Sequence, residues 1–233
     1  KSISLEEKVF GKKRGIEAGV LEAAHSVIVT TDADCIHSKN WLQEINKLID
    51  LGSEFIIAPV INKKRPGLLS NLQQIENLLL AGVTVGSATL KAPLLCSGAN
   101  LSYTKALFNR LQPYKNNYRI LSGDDMFFLE KIIRKDDMSH VEISANSIVE
   151  TESAKSFTEM VSRSVRWASK SSKLKMPLST VFGAIVLIIN CSILFMIALV
   201  ILDTDSIVFF IKLVAVKTIV DVFFLVLLAN RYN

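Results

Sequence analysis

The sequence predicts an α/β fold with a mostly parallel sheet sandwiched by helices, followed by a C-terminal transmembrane helical segment. Three observations carry this. Short β-branched apolar runs alternate with stretches of helical spacing through the first 160 or so residues. The stretch 178–202 holds no charged residue and is long enough to cross a bilayer. Half of the 233 residues are hydrophobic, more than an ordinary soluble domain needs. The expected organisation is a soluble domain over 1–160, a basic interfacial segment over 161–176 and a transmembrane region of two helices over 177–233.

Residues 7–24 mix charged and apolar positions at helical spacing and read as one or two short helices. The run 26–31, Ser-Val-Ile-Val-Thr-Thr, has no polar alternation, so it reads as a buried strand, central in a parallel sheet. Ser38 stands ready to cap a helix over 40–51, whose apolar stripe is Trp41, Leu42, Ile45, Leu48 and Ile49. Residues 54–60 form a second strand, and Pro59 suggests that it ends near a sheet edge. A long helix over 68–85 carries its stripe through Leu72, Ile75, Leu78 and Leu79. Ser97-Gly-Ala-Asn100 leads through 101–104 into a helix over 105–111. Ser122-Gly-Asp-Asp125 precedes a helix over 126–134, and 140–144 alternates as a strand.

A second apolar stretch, 206–229, contains Lys212, Lys217 and Asp221, the last two spaced to pair on one helical face. Asp203-Thr-Asp205 is a short acidic turn between the two stretches. Between Arg163 and Lys175 there are five basic residues and no acid, so by the positive-inside rule the soluble domain faces the cytoplasm at an inner or plasma membrane. The net charge is +5. Its basic run abuts the apolar tail, which fits membrane lipids and excludes a nucleic-acid binder. The three cysteines are scattered, which excludes zinc spacing and a disulfide framework.

Two acidic motifs carry the chemistry. Asp32-Ala-Asp34 follows an apolar strand, where two carboxylates can present oxygens to Mg2+ or Mn2+ completed by water and phosphates. The same tripeptide also occurs in solvated loops and caps. Gly123-Asp124-Asp125 reads either as a cap with an acidic first turn or as the seat of a general base that takes a hydroxyl proton. Arg163-Ser-Val-Arg-Trp167 reads as an amphipathic interfacial helix, or as Arg166 on a diphosphate with Trp167 against a sugar or acceptor. His37 is either a third metal ligand or a surface-loop histidine. Lys12 or Lys13 reads as a phosphate contact or as a solvated helix face.

Taken together, Lys12-Lys-Arg-Gly-Ile-Glu-Ala-Gly19, Ala23-Ala24 and Val27-Ile-Val-Thr-Thr-Asp-Ala-Asp34 resemble the donor half of family-2 inverting glycosyltransferases of the GT-A fold. Cys96-Ser-Gly-Ala-Asn100 with Tyr103 resembles that family's small-residue segment on the acceptor side. Gly123-Asp-Asp125 is similar to its Glu/Asp-Asp motif, and Arg163-Ser-Val-Arg-Trp167 to its Gln-x-x-Arg-Trp motif. Asp124 stands where Glu is common, and Arg163 where Gln is common.

The resemblance implies a nucleotide-sugar donor, a hydroxyl acceptor on a lipid-linked glycan or glycolipid, and inversion at the anomeric centre. It implies Asp125 as base with Asp124 beside it, Asp34 and Asp32 as metal ligands, and Arg166, Trp167, Gly98, Asn100 and Lys13 around donor diphosphate and acceptor. It also places the first strand and nucleotide-base pocket N-terminal to Lys1. Two rival classes share parts of this pattern: a metal-dependent nucleotidyl- or phosphotransferase, and a non-catalytic membrane protein whose acids are helix caps.

Overall fold

The structure, a computed structural model, describes residues 11–118, 120, 122–135, 138–171, 173–202 and 207–232. The chain divides into two compact units, one reaching to Lys175 and one beginning at Met176. In the first unit the elements run α1 (Lys12–Glu22), β1 (Val27–Thr30), β2 (Ile36–His37), α2 (Trp41–Asp50), β3 (Phe55–Ile57), β4 (Val60–Asn62) and α3 (Leu68–Thr89). Then come β5 (Leu101–Thr104), α4 (Lys105–Leu111), α5 (Asp124–Arg134), β6 (Val141–Ile143), β7 (Val149–Thr151) and α6 (Phe157–Ser171). The second unit holds α7 (Pro177–Leu202) and α8 (Ile207–Tyr232). Residues 7–10 of the first expected helix and the 203–205 turn lie outside the described residues.

The α/β class stands, but the sheet is mixed rather than mostly parallel. A four-stranded sheet has the order β1-β5-β3-β6, and a three-stranded sheet the order β2-β7-β4. Among the described residues three strand pairings are antiparallel and two parallel. The reason is β5, which inserts between β1 and β3 and runs against both. It displaces β1 from the expected centre to the end of the order, where all four of its residues are half-buried. The central place falls to β3. Phe55, Ile56 and Ile57 are wholly buried, because this β-branched and aromatic strand is paired on both edges and covered on both faces. Pro59 therefore marks the passage between the two sheets.

Aromatic packing holds α5 and α4 on this sheet. The Phe128 ring stands 4.9 Å from Tyr103, 5.1 Å from Phe55 and 5.6 Å from Phe108, each edge-on. Truncating a core Phe of this kind costs about 3–5 kcal/mol. The α3 helix departs from its sequence pattern. Its buried positions include Ser70, Gln73, Ala81, Gly82, Thr84 and Ala88, whereas Leu72 and Ile75 are about half exposed. Hydrogen bonding decides this. The Gln73 amide donates to the Ala154 carbonyl at 3.0 Å and accepts from the Ala154 N–H at 2.7 Å. Turning Gln73 outward would strand two buried backbone groups.

Register places the site. Thr30 lies opposite Leu101, and Ile57 opposite the same residue on the other side. The chain beyond Thr30, which is Asp32-Ala-Asp34, thus runs alongside Ser97–Asn100 just before β5. The acids leave the sheet at the carboxyl ends of its strands, where open α/β sheets gather ligands. In the second unit α7 and α8 pack on one another. Among the described residues α7 is the one helix long and apolar enough to cross a membrane. The other expected span, α8, is a helix of 26 residues, but Lys212, Lys217, Asp221 and Arg231 set its composition apart. Lys217 and Asp221 do form an ion pair across one turn.

Candidate active site

A tight turn follows β1, closed by Cys35 N–H on the Asp32 carbonyl at 3.1 Å. It leaves both Asp32 and Asp34 exposed. Asp34 accepts a 3.3 Å hydrogen bond from the Thr151 hydroxyl, a partner from a strand that the sequence pattern gave no hint of. Asp32 pairs with Lys12 of α1, whose ammonium stands 3.2 Å from Oδ1. His37 lies past the turn, 2.7 Å from the Thr31 hydroxyl, with its ring centre 4.1 Å from that of Trp41 and tilted by 37°.

The second acidic motif begins α5. Gly123 precedes the helix with φ +82°, a left-handed conformation that glycine adopts without a steric penalty. This brings both Asp124 and Asp125 into the first helical turn, where the backbone dipole favours negative charge. Asp125 accepts from Met126 N–H at 2.8 Å through Oδ1 and from Gly98 N–H at 2.9 Å through Oδ2. Those two bonds fix its orientation, and of the roughly four lone-pair sites on a carboxylate they leave others to receive a proton. Asp124 is turned inward, with its side chain 7% exposed, 3.5 Å from the Lys12 ammonium. Its pKa is raised above the ordinary value by burial and then by Asp125, against the opposing pull of Lys12.

Lys12 is thus the hinge of the site, since one ammonium reaches an acid from each motif. Burial pulls its pKa down, but Asp124, Asp32 and then Asp125 outweigh that and hold it above the usual lysine value. Gly98 closes the group. A Cβ there would meet Asp124 Oδ2 at 3.1 Å and the Lys12 Nζ at 3.4 Å. Behind the acids the surroundings are apolar. Burial first, then Asp124, pushes the Tyr103 phenol well above its ordinary pKa. Burial likewise raises the Cys96 thiol, with Asp125 and Asp124 adding to it, which keeps it from acting as a thiolate.

Asp32, Asp124, Asp125 and Gly98 therefore meet around Lys12, while two other expected ligand residues belong to the framework. Asn100 is 1% exposed. Its amide donates to the Pro59 and Ser147 carbonyls at 2.8 and 2.6 Å and accepts from the Trp41 indole at 3.0 Å. With those groups buried, it clamps Trp41, Pro59 and Ser147 to one another. Lys13 is also buried, its ammonium bonded to the Asn117 carbonyl and side chain and 4.1 Å from the centre of the Phe127 ring. Helical phase distinguishes the two lysines: Lys13 is seven residues from buried Val20 and shares its face, and Lys12 is on the rim.

Arg166 and Trp167 are exposed on α6. Arg163, in contrast, donates to the Glu152 carbonyl at 3.1 Å and pairs with Glu159 at 2.7 Å. Among the described residues no three His, Cys, Asp or Glu side chains gather into a metal cage. The expected donor set is the exposed pair Asp32 and Asp34. That suits a hard divalent cation which keeps water and takes its remaining ligands from a substrate phosphate, and it does not suit zinc.

The model of Glycosyl transferase family 21 matches residues 11–232, which is nearly the whole chain, and makes the protein a glycosyltransferase by class. It belongs to glycosyl transferase family 21. The sequence resemblance pointed to family 2, so the class stands and the family number is the one that this match gives. A comparison with curated proteins finds no match.

Proposed function

We propose that the chain moves a sugar from a nucleotide-diphosphate donor to a hydroxyl acceptor, with inversion and metal assistance, on a GT-A-like domain. The observation that carries this reading is the double ion pair of Lys12, which draws Asp32 to Asp124 although they are 92 positions apart. A donor-side carboxylate and a base-side carboxylate are then within one side chain of each other, as a single displacement requires.

In this reading Asp125 takes the proton from the acceptor hydroxyl as the new glycosidic bond forms. The sugar–phosphate bond breaks on the opposite face, which inverts the anomeric centre. Gly98 N–H and Met126 N–H keep the Asp125 oxygens from rotating away. Arg166 supplies positive charge to the departing diphosphate, and Trp167 lies against sugar or acceptor. Asp34 and Asp32 would hold Mg2+ or Mn2+, which when bound supplies positive charge to the leaving group. The apolar α7 supports an acceptor that is itself in the membrane, a lipid-linked glycan or glycolipid. The basic run before α7 supports a cytoplasmic soluble unit.

The test uses the full chain in membranes, a panel of nucleotide sugars, and Mn2+ or EDTA. Expected is release of nucleoside diphosphate that EDTA stops and that Asp125→Asn loses. Release of monophosphate or pyrophosphate would mean phosphoryl or nucleotidyl transfer and would overturn the proposal.

A further inference from the structure

We infer that α6 is a lipid-docking helix, lying in the headgroup layer of an anionic bilayer with Phe157, Val161 and Val165 turned into the lipid. The inference rests on reading α7 as a membrane span. At spacing i, i+4, i+8 the three residues fall on one face of the helix. They are 66%, 41% and 61% exposed, although a helix of a soluble domain ordinarily buries its apolar face. Trp167, on the flank of this face, is 48% exposed.

The helix is held by its other side. Arg163 bonds to the Glu152 carbonyl and to Glu159, and Glu159 accepts from the Lys155 N–H at 2.9 Å. The polar side is therefore fastened to the α/β unit, and the apolar stripe is turned away from it. This arrangement is not an accident of a loose helix, because the segment leading into it is itself pinned by the two Gln73–Ala154 bonds.

Charge and sequence continuity identify the occupant. From residue 163 to 175 the chain carries Arg163, Arg166, Lys170, Lys173 and Lys175 without an acid, the complement of anionic headgroups. Arg166 is exposed on the polar side of α6, and an apolar stripe opposed by basic residues is the pattern of helices that lie in the interface plane. Only residues 172–176 separate α6 from α7, so a bilayer that receives α7 is within reach of α6. A protein partner would have to be both apolar and strongly acidic, whereas an anionic membrane offers both properties in one surface.

The experiment places single nitroxide labels on the full chain through F157C, V161C, V165C and S162C, in a Cys35→Ser, Cys191→Ala background with buried Cys96 retained. A fifth sample labels native Cys191, exposed on α7, as a lipid reference. The proteins are reconstituted in phosphatidylcholine vesicles with or without phosphatidylglycerol, and collisions with oxygen are compared with those of a water-soluble nickel chelate. Expected with phosphatidylglycerol is a several-fold excess of oxygen over nickel collisions at 157, 161 and 165, reversed at 162, and reduced without the anionic lipid.

Nickel access at all three stripe positions, with Cys191 in lipid, would overturn the inference and leave membrane anchoring intact. Protection from both reagents would mean that protein covers the stripe, and an unchanged pattern in pure phosphatidylcholine would remove the anionic requirement. Either result overturns the inference. A water-exposed Cys191 would overturn the membrane reading along with it. The nucleotide-release assay is independent of all these outcomes, so transfer and docking fail separately.

Discussion

The backbone N–H of Gly98 donates to Asp125 Oδ2 at 2.9 Å, so the segment before β5 holds the carboxylate that begins α5. Such closeness leaves little room for a side chain. A Cβ at 98 would stand 3.1 Å from Asp124 Oδ2 and 3.7 Å from Asp125 Cβ. Gly98→Ala is expected to shift both carboxylates by a few tenths of an ångström and to lower turnover about 10-fold or more. Thermal unfolding should change little. Nucleotide release measured beside melting would show it, and an unimpaired Gly98→Ala enzyme would remove Gly98 from the positioning of the base.

Asp125→Asn removes the proposed proton acceptor while keeping the shape of the side chain. Transfer is expected to fall by roughly 10²–10⁴-fold, with donor binding, read by calorimetry in the presence of Mn2+, retained. Substantial turnover in this variant would reassign the motif to helix capping.

Asp124 connects the site to stability. Its pKa is raised, first by burial and then by Asp125, so the folded state favours the protonated acid more than the unfolded chain does. The sign follows from linkage. The contribution is fully present below the ordinary aspartate value of 3.8 and is lost as pH rises through the higher folded value. Wild type should therefore gain melting temperature relative to Asp124→Asn as pH is lowered from 7 toward 4, and the opposite slope would refute the raised pKa. Lys12→Met should cost about 1 kcal/mol, a figure held low because half of the lysine side chain is in water.

Removal of the proposed metal gives a fourth expectation. EDTA should abolish nucleotide release, and Mn2+ or Mg2+ in excess should restore it. Asp34→Asn should shift the restoring concentration upward, because a hard cation held by only two carboxylates depends strongly on each. Full activity in EDTA would leave Asp32 and Asp34 with a purely electrostatic or structural part.

Spacing alone located the two acidic motifs, whereas their expected roles came from the family resemblance. The strand-then-acids pattern at 27–34 and the glycine before Asp124 named both acidic motifs, because hydrophobic period and turn chemistry are local properties. Strand order was not legible. Nothing in Val27–Thr30 tells that β5 will come between it and β3, since pairing partners 71 to 77 positions away are chosen by the whole fold. The short strands β2, β4 and β7, of two or three residues each, carry too little pattern to announce themselves, and with them Thr151 went unforeseen. Asn100 and Gln73 share one trait: each is a polar side chain that satisfies buried backbone groups, a part that the sequence pattern alone does not announce.

The two arginines of the 163–167 motif separate structure from chemistry. Arg163 is bonded to the Glu152 carbonyl and paired with Glu159, so Arg163→Ala should lower stability by about 1 kcal/mol and affect turnover only as far as α6 loosens. Arg166 is exposed, and its backbone carbonyl accepts from the Ser169 hydroxyl at 2.9 Å. Its removal should therefore leave melting within about 0.5 kcal/mol of wild type. If its guanidinium stabilises the departing diphosphate, Arg166→Ala should lower the turnover number by roughly 10²-fold. Arg166→Lys should recover part of that loss, because the charge returns without the planar pair of donors. Full activity in Arg166→Ala, with Arg163→Ala behaving as described, would confine the motif to holding and docking α6. A turnover defect in Arg166→Ala without a melting defect would assign it to the reaction, since a residue that only shapes the helix cannot lose one and keep the other.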